Sequence, residues 1–242
     1  MKIYVVGLGP GRFDEITDRA KSALNSSDVI IGYTVYTDLI KEHFKDAEIL
    51  STPMKREVER CHIAFREALK KKTVSMVCSG DAGVYGMAGL IYEVSKDYEE
   101  VEIEIISGIT AACSGAAVLG APLIHDFAVI SLSDLLTPLE KIHRKVEAAA
   151  SADFVICIYN PSSKKRGSYL HDAVKIMLKY KSPKTICGIV RNIGREGEQK
   201  KILTLGELLN ESVDMFTTVF IGNESTEVIS GNMVTKRGYK HD

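Results

Sequence analysis

The stretch that decides the fold is SGDAGVYGMAG, Ser79–Gly89, which directly follows the apolar run TVSMVC, Thr73–Cys78. An apolar strand that ends in a loop with glycine at every third position is typical of α/β proteins that bind a ligand there. Glycine allows the main chain to approach a ligand closely, and the Asp81 carboxylate can accept hydrogen bonds from an amine or from ribose hydroxyls. A tight strand-to-helix turn without a ligand could use the same residues, so this loop alone leaves both interpretations open.

A second glycine loop, GLGPG at Gly7–Gly11, follows the strand predicted for residues 2–6, and a helix is predicted to begin after Thr17. This order of strand, glycine loop and helix is found in nucleotide-binding folds. The loop departs from the dinucleotide fingerprint because Arg12 stands in place of the third glycine. In addition, Pro10 lacks the backbone donor that a pyrophosphate needs. These departures argue against NAD or FAD as the ligand.

A third loop, SGITAA at Ser107–Ala112, follows the predicted strand Val101–Ile106 and continues into a helix of small residues up to Ala117. Thr110 is placed to cap this helix and to offer a hydroxyl to a ligand. A helix with such small side chains can pack close to a sheet or to a bound molecule, and core packing is the simpler explanation. Because open α/β sheets bind ligands at the carboxyl ends of their strands, the three loops predict one binding edge.

Alternating strands and helices predict an α/β fold in two domains, residues 1–120 and 121–242, with no fixed-period repeat relating them. In the second half, the loops Tyr159–Arg166 and Val190–Gly197 also follow predicted strands. The basic side chains of these two loops suit a polyanionic substrate, and a solvated surface is an equal alternative. They are Lys164, Lys165, Arg166, Arg191 and Arg195.

Composition narrows the class of protein. The chain has 242 residues, of which 45% are hydrophobic and 26% charged, and a net charge of -1, which argues against a general nucleic-acid binder. The five cysteines are scattered and odd in number, as expected for core residues in a reducing compartment, and their spacing predicts no metal site. The sequence has neither a signal-peptide pattern nor an apolar run of spanning length, so we expect a soluble cytoplasmic protein without membrane contact.

The glycine loops together resemble those of the cobalamin-pathway tetrapyrrole methylases, and the likeness covers essentially the whole chain. The matching segments of the first half are GLGPG (Gly7–Gly11), SGDAGVYGM (Ser79–Met87) and GITAA (Gly108–Ala112). Later segments are similar to the branch that methylates C17 of precorrin-3B or cobalt-factor III. They are LGAPLIHDF (Leu119–Phe127), VISLSDLLTP (Val129–Pro138), YNP (Tyr159–Pro161), VRN (Val190–Asn192) and REG (Arg195–Gly197).

The resemblance implies a two-domain tetrapyrrole methylase fold, a homodimer, and S-adenosylmethionine bound in the cleft between the domains. It also implies C17 methylation of a tetrapyrrole, with contraction of the corrin ring, in cobalamin biosynthesis. Whether the substrate contains cobalt stays open. Carried over position by position, the family's cofactor contacts are Pro10, Ser79, Gly80, Asp81, Val84, Tyr85, Thr110, Ala111, Tyr159, Asn160 and Asn192, with Gly194 as an alternative to Asn192.

Ring contraction requires proton transfer, and polar side chains in and after the linker between the two halves are the candidates for it. They are His125, Asp126, Ser131, Ser133 and Asp134. We expect them to cluster where the macrocycle would lie, although His125 and Asp126 could equally well only hold the linker in place. A sister methylase acting at C11 or C20 would share every cofactor motif. A non-enzymatic nucleotide-binding module would share the glycine loops.

Overall fold

The computed structural model describes residues 1–98, 100–163 and 167–240. The contacts between Cα atoms divide the chain into two compact units, Met1–Thr110 and Ala111–Asp242. The boundary predicted at residue 120 falls in the short strand β6 (Gly120–Ala121), which pairs with a strand of the second unit. Both units combine strands and helices, so the predicted α/β class is confirmed.

Within the described residues, the first unit forms a five-stranded parallel sheet in the order β3-β2-β4-β1-β5. Its strands are β1 (Lys2–Gly7), β2 (Val29–Tyr33), β3 (Glu48–Thr52), β4 (Thr73–Cys78) and β5 (Glu102–Ile106). Its helices are α1 (Asp18–Asn25), α2 (Thr34–Asp38), α3 (Glu57–Leu69) and α4 (Ala88–Ser95). The N-cap prediction at Thr17 is confirmed, because its hydroxyl accepts a hydrogen bond from the Ala20 amide.

The helices that follow β1 and β4 lie on opposite faces of this sheet. Leu24 of α1 packs in a cluster with Val6, whereas Ile91 of α4 packs in a cluster with Val5. Successive side chains of a strand point to opposite faces, which explains why neighbours on β1 belong to different clusters. Since β1 and β4 are adjacent, their loops diverge at a topological switch point, the place where open α/β sheets bind ligands.

Within the described residues, the main sheet of the second unit is five-stranded and mixed, in the order β10-β9-β11-β8-β7. Its strands are β7 (Phe127–Ser131), β8 (Val155–Tyr159), β9 (Ile186–Arg191), β10 (Gln199–Thr204) and β11 (Thr217–Ile221). Strand β7 is parallel to β8, and β11 is antiparallel to both β8 and β9. The carboxyl ends of β7, β8 and β9 therefore share one edge with the start of β11.

The rest of the second unit covers and extends this sheet. Its helices are α5 (Ala111–Leu119), α6 (Leu139–Ser151), α7 (Tyr169–Met177) and α8 (Leu205–Leu208), and the hairpin of β12 (Thr226–Ile229) and β13 (Asn232–Thr235) pairs with β6. Within the described residues, no helix has the length and apolarity needed to cross a bilayer.

The small residues of α5 allow close packing on the sheet of the same unit. A Cβ atom at Gly115 would lie 2.8 Å from Phe220 Cζ and 2.9 Å from Ile193 Cδ1, closer than carbon atoms can approach. Likewise, a Cβ at Gly188 would lie 2.5 Å from Leu119 Cδ1. Core packing therefore accounts for the glycine at position 115 of this helix.

Candidate active site

The glycine loops of the first unit pack directly against one another, backbone to backbone. Gly9 and Gly80 exchange two hydrogen bonds, of 3.0 Å from Gly9 N to Gly80 O and 2.7 Å from Gly80 N to Gly9 O. A Cβ at Gly7 would lie 2.6 Å from Gly80 O, and a Cβ at Gly108 would lie 2.3 Å from the same oxygen. Glycine is therefore required at these positions for contact between the loops themselves.

Asp81 fastens the loop after β4 to the loop after β5. Its Oδ1 accepts a hydrogen bond of 2.8 Å from the Gly83 amide, and its Oδ2 accepts one of 3.0 Å from the Gly108 amide. A carboxylate offers about four acceptor positions, so both oxygens retain capacity for a further donor. The structure thus gives Asp81 a positioning role, and its predicted contact with a ligand stays a prediction.

Three of the seven described non-glycine residues with positive φ are predicted cofactor residues. Tyr85 lies in the left-handed region at φ 55° and its side chain is 58% exposed. In the second unit, Asn160 and Asn192 lie in the same region at φ 51° and 52°. A non-glycine residue held in this conformation costs on the order of 1–3 kcal/mol, and such residues cluster at ligand-binding sites. The remaining predicted cofactor residues of the first unit lie on the glycine loops after β1, β4 and β5. They are Pro10, Ser79, Val84 and Thr110.

In the second unit, hydrogen bonds join the loops that follow β7 and β8. Asn160 Nδ2 donates to Ser131 Oγ at 3.0 Å, and the Ser133 amide donates to the same oxygen at 3.2 Å. The Tyr159 hydroxyl accepts a bond of 2.5 Å from the Ala112 amide in the first turn of α5, next to Ala111. Tyr159, Asn160, Ser131 and Ser133 are therefore neighbours at one edge of the sheet.

Tyr169 is a candidate that the sequence did not reveal. Its hydroxyl donates to Asp134 Oδ2 at 2.8 Å, which joins the start of α7 to the loop after β7. A tyrosine in the first turn of an amphipathic helix gives no sequence signal for such a role, because the pairing depends on the packing of two distant segments.

The structure corrects the expectation that the five proton-transfer candidates cluster. His125 and Asp126 precede β7, whereas Ser131, Ser133 and Asp134 lie at or beyond its carboxyl end. At a rise of about 3.3 Å per residue, the two groups are roughly 16 Å apart. The Asp126 carbonyl accepts a hydrogen bond from the Val155 amide, consistent with the alternative that this segment holds the linker in place.

The basic residues predicted to bind substrate divide into two sets. Arg191 forms an ion pair of 2.7 Å with Asp214, and the Arg195 guanidinium lies 5.9 Å from the centre of the Phe216 ring. The other set, Lys164, Lys165 and Arg166, lies outside the described residues. The Gly194 amide donates to Glu198 Oε2 at 2.7 Å, so this alternative to Asn192 already has an intramolecular acceptor.

The buried cysteines are poor nucleophiles. Burial raises the pKa of the Cys61 and Cys187 thiols to about 12 and that of Cys78 to about 11, and it also raises the pKa of Cys157. These thiols stay protonated at neutral pH. Among the described residues, no group of three or more His, Cys, Asp or Glu side chains is arranged to hold a metal ion.

This arrangement of glycine loops defines a class of protein. The model of the tetrapyrrole (corrin/porphyrin) methylases matches residues 2–209, and the chain belongs to this family. Family membership argues against the alternative of a non-enzymatic nucleotide-binding module.

Similar proteins point to one branch of the family. A cobalt-factor III methyltransferase of Priestia megaterium is 47% identical over 99% of this chain, which spans 45% of that longer protein. A probable cobalt-factor III C(17)-methyltransferase of Salmonella typhimurium is 46% identical over 98% of this chain and 99% of its own length. The crystal structure of the methyltransferase CobJ is 32% identical, with a TM-score of 0.90 over 97% of this chain and 99% of that one.

Proposed function

We propose that this chain transfers a methyl group from S-adenosylmethionine to C17 of cobalt-factor III, with contraction of the corrin ring, in cobalamin biosynthesis. The observation that supports this most strongly is the near full-length similarity to the Salmonella relative, which is named for that reaction. The names of the two relatives favour the cobalt-containing substrate over metal-free precorrin-3B.

The residues of the first unit fit a bound S-adenosylmethionine. The loops after β1, β4 and β5 meet at the switch point of the sheet, where Asp81 retains acceptor capacity for the amine or the ribose hydroxyls. The exposed ring of Tyr85 can approach a sulfonium through its π face. When bound, the cofactor would supply the methyl group. The resemblance assigns further contacts to Ala111, Tyr159, Asn160 and Asn192.

Methyl transfer from sulfur to carbon is an in-line displacement in which the macrocycle carbon is the nucleophile. The tasks of the protein are therefore orientation and exclusion of water, and no protein nucleophile is required. Protonated, buried thiols are consistent with this requirement. The mutual packing of Gly7, Gly80 and Gly108 makes the cofactor loops rigid, which lowers the entropic cost of orientation.

Ring contraction also requires proton transfer, and the carboxyl end of β7 offers the best-supported groups. Asp134 is oriented by the Tyr169 hydroxyl, and Ser131 is oriented by Asn160. We therefore assign the proton-transfer role to Asp134, with Tyr169 as its positioning residue. Arg191 and Arg195, together with Lys164–Arg166, would pair with the peripheral carboxylates of the substrate.

Two further proposals are a homodimer, which rests on the resemblance alone, and a cytoplasmic location, which rests on the scattered cysteines expected in a reducing compartment. Sedimentation velocity of the purified chain tests the first, with a monomer at micromolar concentration as the contradicting result. Fractionation of the source cells tests the second. A methylase acting at C11 or C20 is the remaining alternative for the reaction, because it would share the cofactor loops.

The decisive experiment combines binding with product analysis. S-adenosylhomocysteine is titrated by calorimetry, and the protein is then incubated without oxygen with cobalt-factor III and 13C-methyl S-adenosylmethionine. We expect binding and one labelled methyl group, which NMR assigns to C17. A label at another carbon would identify a sister methylase, and binding of S-adenosylhomocysteine without methyl transfer would reject cobalt-factor III as the substrate.

A further inference from the structure

The turn Asp214–Phe216 lies at the candidate edge of the second unit, although it precedes a strand. Strand β11 lies between β8 and β9, and its first residue, Thr217, pairs with Arg191, the last residue of β9. The register of β11 with β8 pairs Val219 with Ile158, so two residues further Thr217 lies level with Asn160. The turn is therefore flanked by the loops that hold Asn160 and Asn192.

The Asp214 carboxylate holds this turn in one conformation. Its Oδ1 accepts hydrogen bonds from the Phe216 amide at 3.0 Å and from the Thr217 hydroxyl at 2.8 Å. Its Oδ2 forms the 2.7 Å ion pair with Arg191. The Phe216 carbonyl in turn accepts a hydrogen bond of 3.1 Å from the Asn192 amide. Hydrogen bonds within the turn and two contacts with the end of β9 thus fix the backbone of the turn.

This fixed turn exposes apolar side chains. Met215 is 41% exposed and Phe216 is 42% exposed, and the Arg195 guanidinium lies over the Phe216 ring. Isolated exposed apolar residues are common, but adjacent ones held by several hydrogen bonds form a preorganised contact surface. A ligand that binds there does not have to order the turn, so more of its contact energy appears as affinity.

We infer that Met215 and Phe216 contact the face of the tetrapyrrole macrocycle and that Phe216 contributes to substrate selection, an inference that rests on the proposed function. A tetrapyrrole is a broad, flat, apolar ring system with carboxylates at its rim. The ring of Phe216 suits its face, and the Arg195 guanidinium over that ring suits a carboxylate at its rim. Asp214 already neutralises Arg191, so Arg195 carries the positive charge that favours a carboxylate of the macrocycle over the sulfonium of S-adenosylmethionine.

The test compares Phe216→Ala and Phe216→Tyr with a matched control, Tyr92→Ala, which removes an aromatic ring that is 51% exposed on α4. Cobalt-factor III binding is followed by absorbance titration, S-adenosylhomocysteine binding by calorimetry, and folding by thermal unfolding. We expect Phe216→Ala to weaken cobalt-factor III binding by about 10- to 100-fold, as for loss of an aromatic stacking partner. Phe216→Tyr and Tyr92→Ala should bind cobalt-factor III with wild-type affinity. All variants should bind S-adenosylhomocysteine with wild-type affinity.

The possible outcomes separate this inference from the proposed function. If Phe216→Ala binds cobalt-factor III like the wild type, the inference is wrong and the proposed function is unaffected. If it instead loses affinity for S-adenosylhomocysteine, Phe216 contacts the methyl donor and the inference is also overturned. If the wild type binds S-adenosylhomocysteine but not cobalt-factor III, the proposed function and the inference fall together. Should Phe216→Ala unfold, Phe216→Leu preserves the apolar volume without the flat ring and is expected to show weaker binding of the macrocycle.

Discussion

Substitution of Gly108 by alanine tests whether packing between the glycine loops builds the site. The new Cβ would lie 2.3 Å from Gly80 O and 2.6 Å from Gly7 C and O. All of these neighbours are backbone atoms of adjacent loops, so no side chain can rotate away to relieve the overlap. Overpacking typically costs about 1–3 kcal/mol. We expect a value near the upper end of this range because the overlapping atoms belong to the backbone. We therefore expect a loss of about 3 kcal/mol in the free energy of unfolding.

The same substitution should weaken binding of S-adenosylhomocysteine, because relief of the overlap requires the loops after β1 and β4 to separate. Gly89→Ala is the matched control, since a Cβ there has no described heavy atom within 4 Å and the position is helical. Replacing a helical glycine by alanine stabilises by about 0.5–1 kcal/mol. Urea unfolding and calorimetric titration measure both effects. Wild-type stability and affinity in Gly108→Ala would refute the packing argument.

Other perturbations test separate parts of the structure. Asp153→Asn removes the negative charge that lies 2.6 Å from the buried Lys181 ammonium but keeps an acceptor oxygen, and Asp153 itself is partly exposed, so we expect urea unfolding to show a loss of about 1–2 kcal/mol. Tyr169→Phe removes the hydrogen bond to Asp134 and should slow turnover about tenfold without changing S-adenosylhomocysteine affinity, and unchanged turnover would contradict the assignment. Burial raises the pKa of the Cys78 thiol from 9.0 to about 11, so the unfolded chain loses this proton first. The free energy of unfolding should therefore fall as pH rises from about 9 to 11. Urea midpoints that stay constant over this range would contradict this prediction.

Sequence reasoning was effective where an element is long and strongly patterned. An amphipathic pattern from Lys55 to Lys72 predicts a helix, and the structure has α3 over Glu57–Leu69, two residues shorter at its start and three at its end. Sequence reasoning missed α2, Thr34–Asp38, because five residues with two threonines and a valine have no helical periodicity and little helix propensity. It also missed the hairpin of β12 and β13, whose turn at Ser230 and Gly231 lies in the left-handed region.

Part of the candidate site could be predicted because parallel strands place their carboxyl ends at one edge, and glycine marks the loops there. His125, Asp126 and Ser131 are close in sequence, which predicts that they lie in one cluster. A strand of five residues nevertheless lies between them, and its two ends are at opposite edges of the sheet. Proximity in sequence therefore indicates proximity in a site only when no strand intervenes.

The Asp214–Phe216 turn lies at the candidate edge although no local sequence pattern predicts it there. In the parallel sheet of the first unit, the loops at the ligand-binding edge all follow strands. In the mixed sheet of the second unit, antiparallel β11 brings its amino end to the same edge as the carboxyl ends of β8 and β9. The pairing of β11 with β9 and β8 reveals this placement, and pairing between distant strands has no local sequence signal. In mixed sheets, turns before antiparallel strands should therefore be searched for substrate contacts together with the loops after parallel ones.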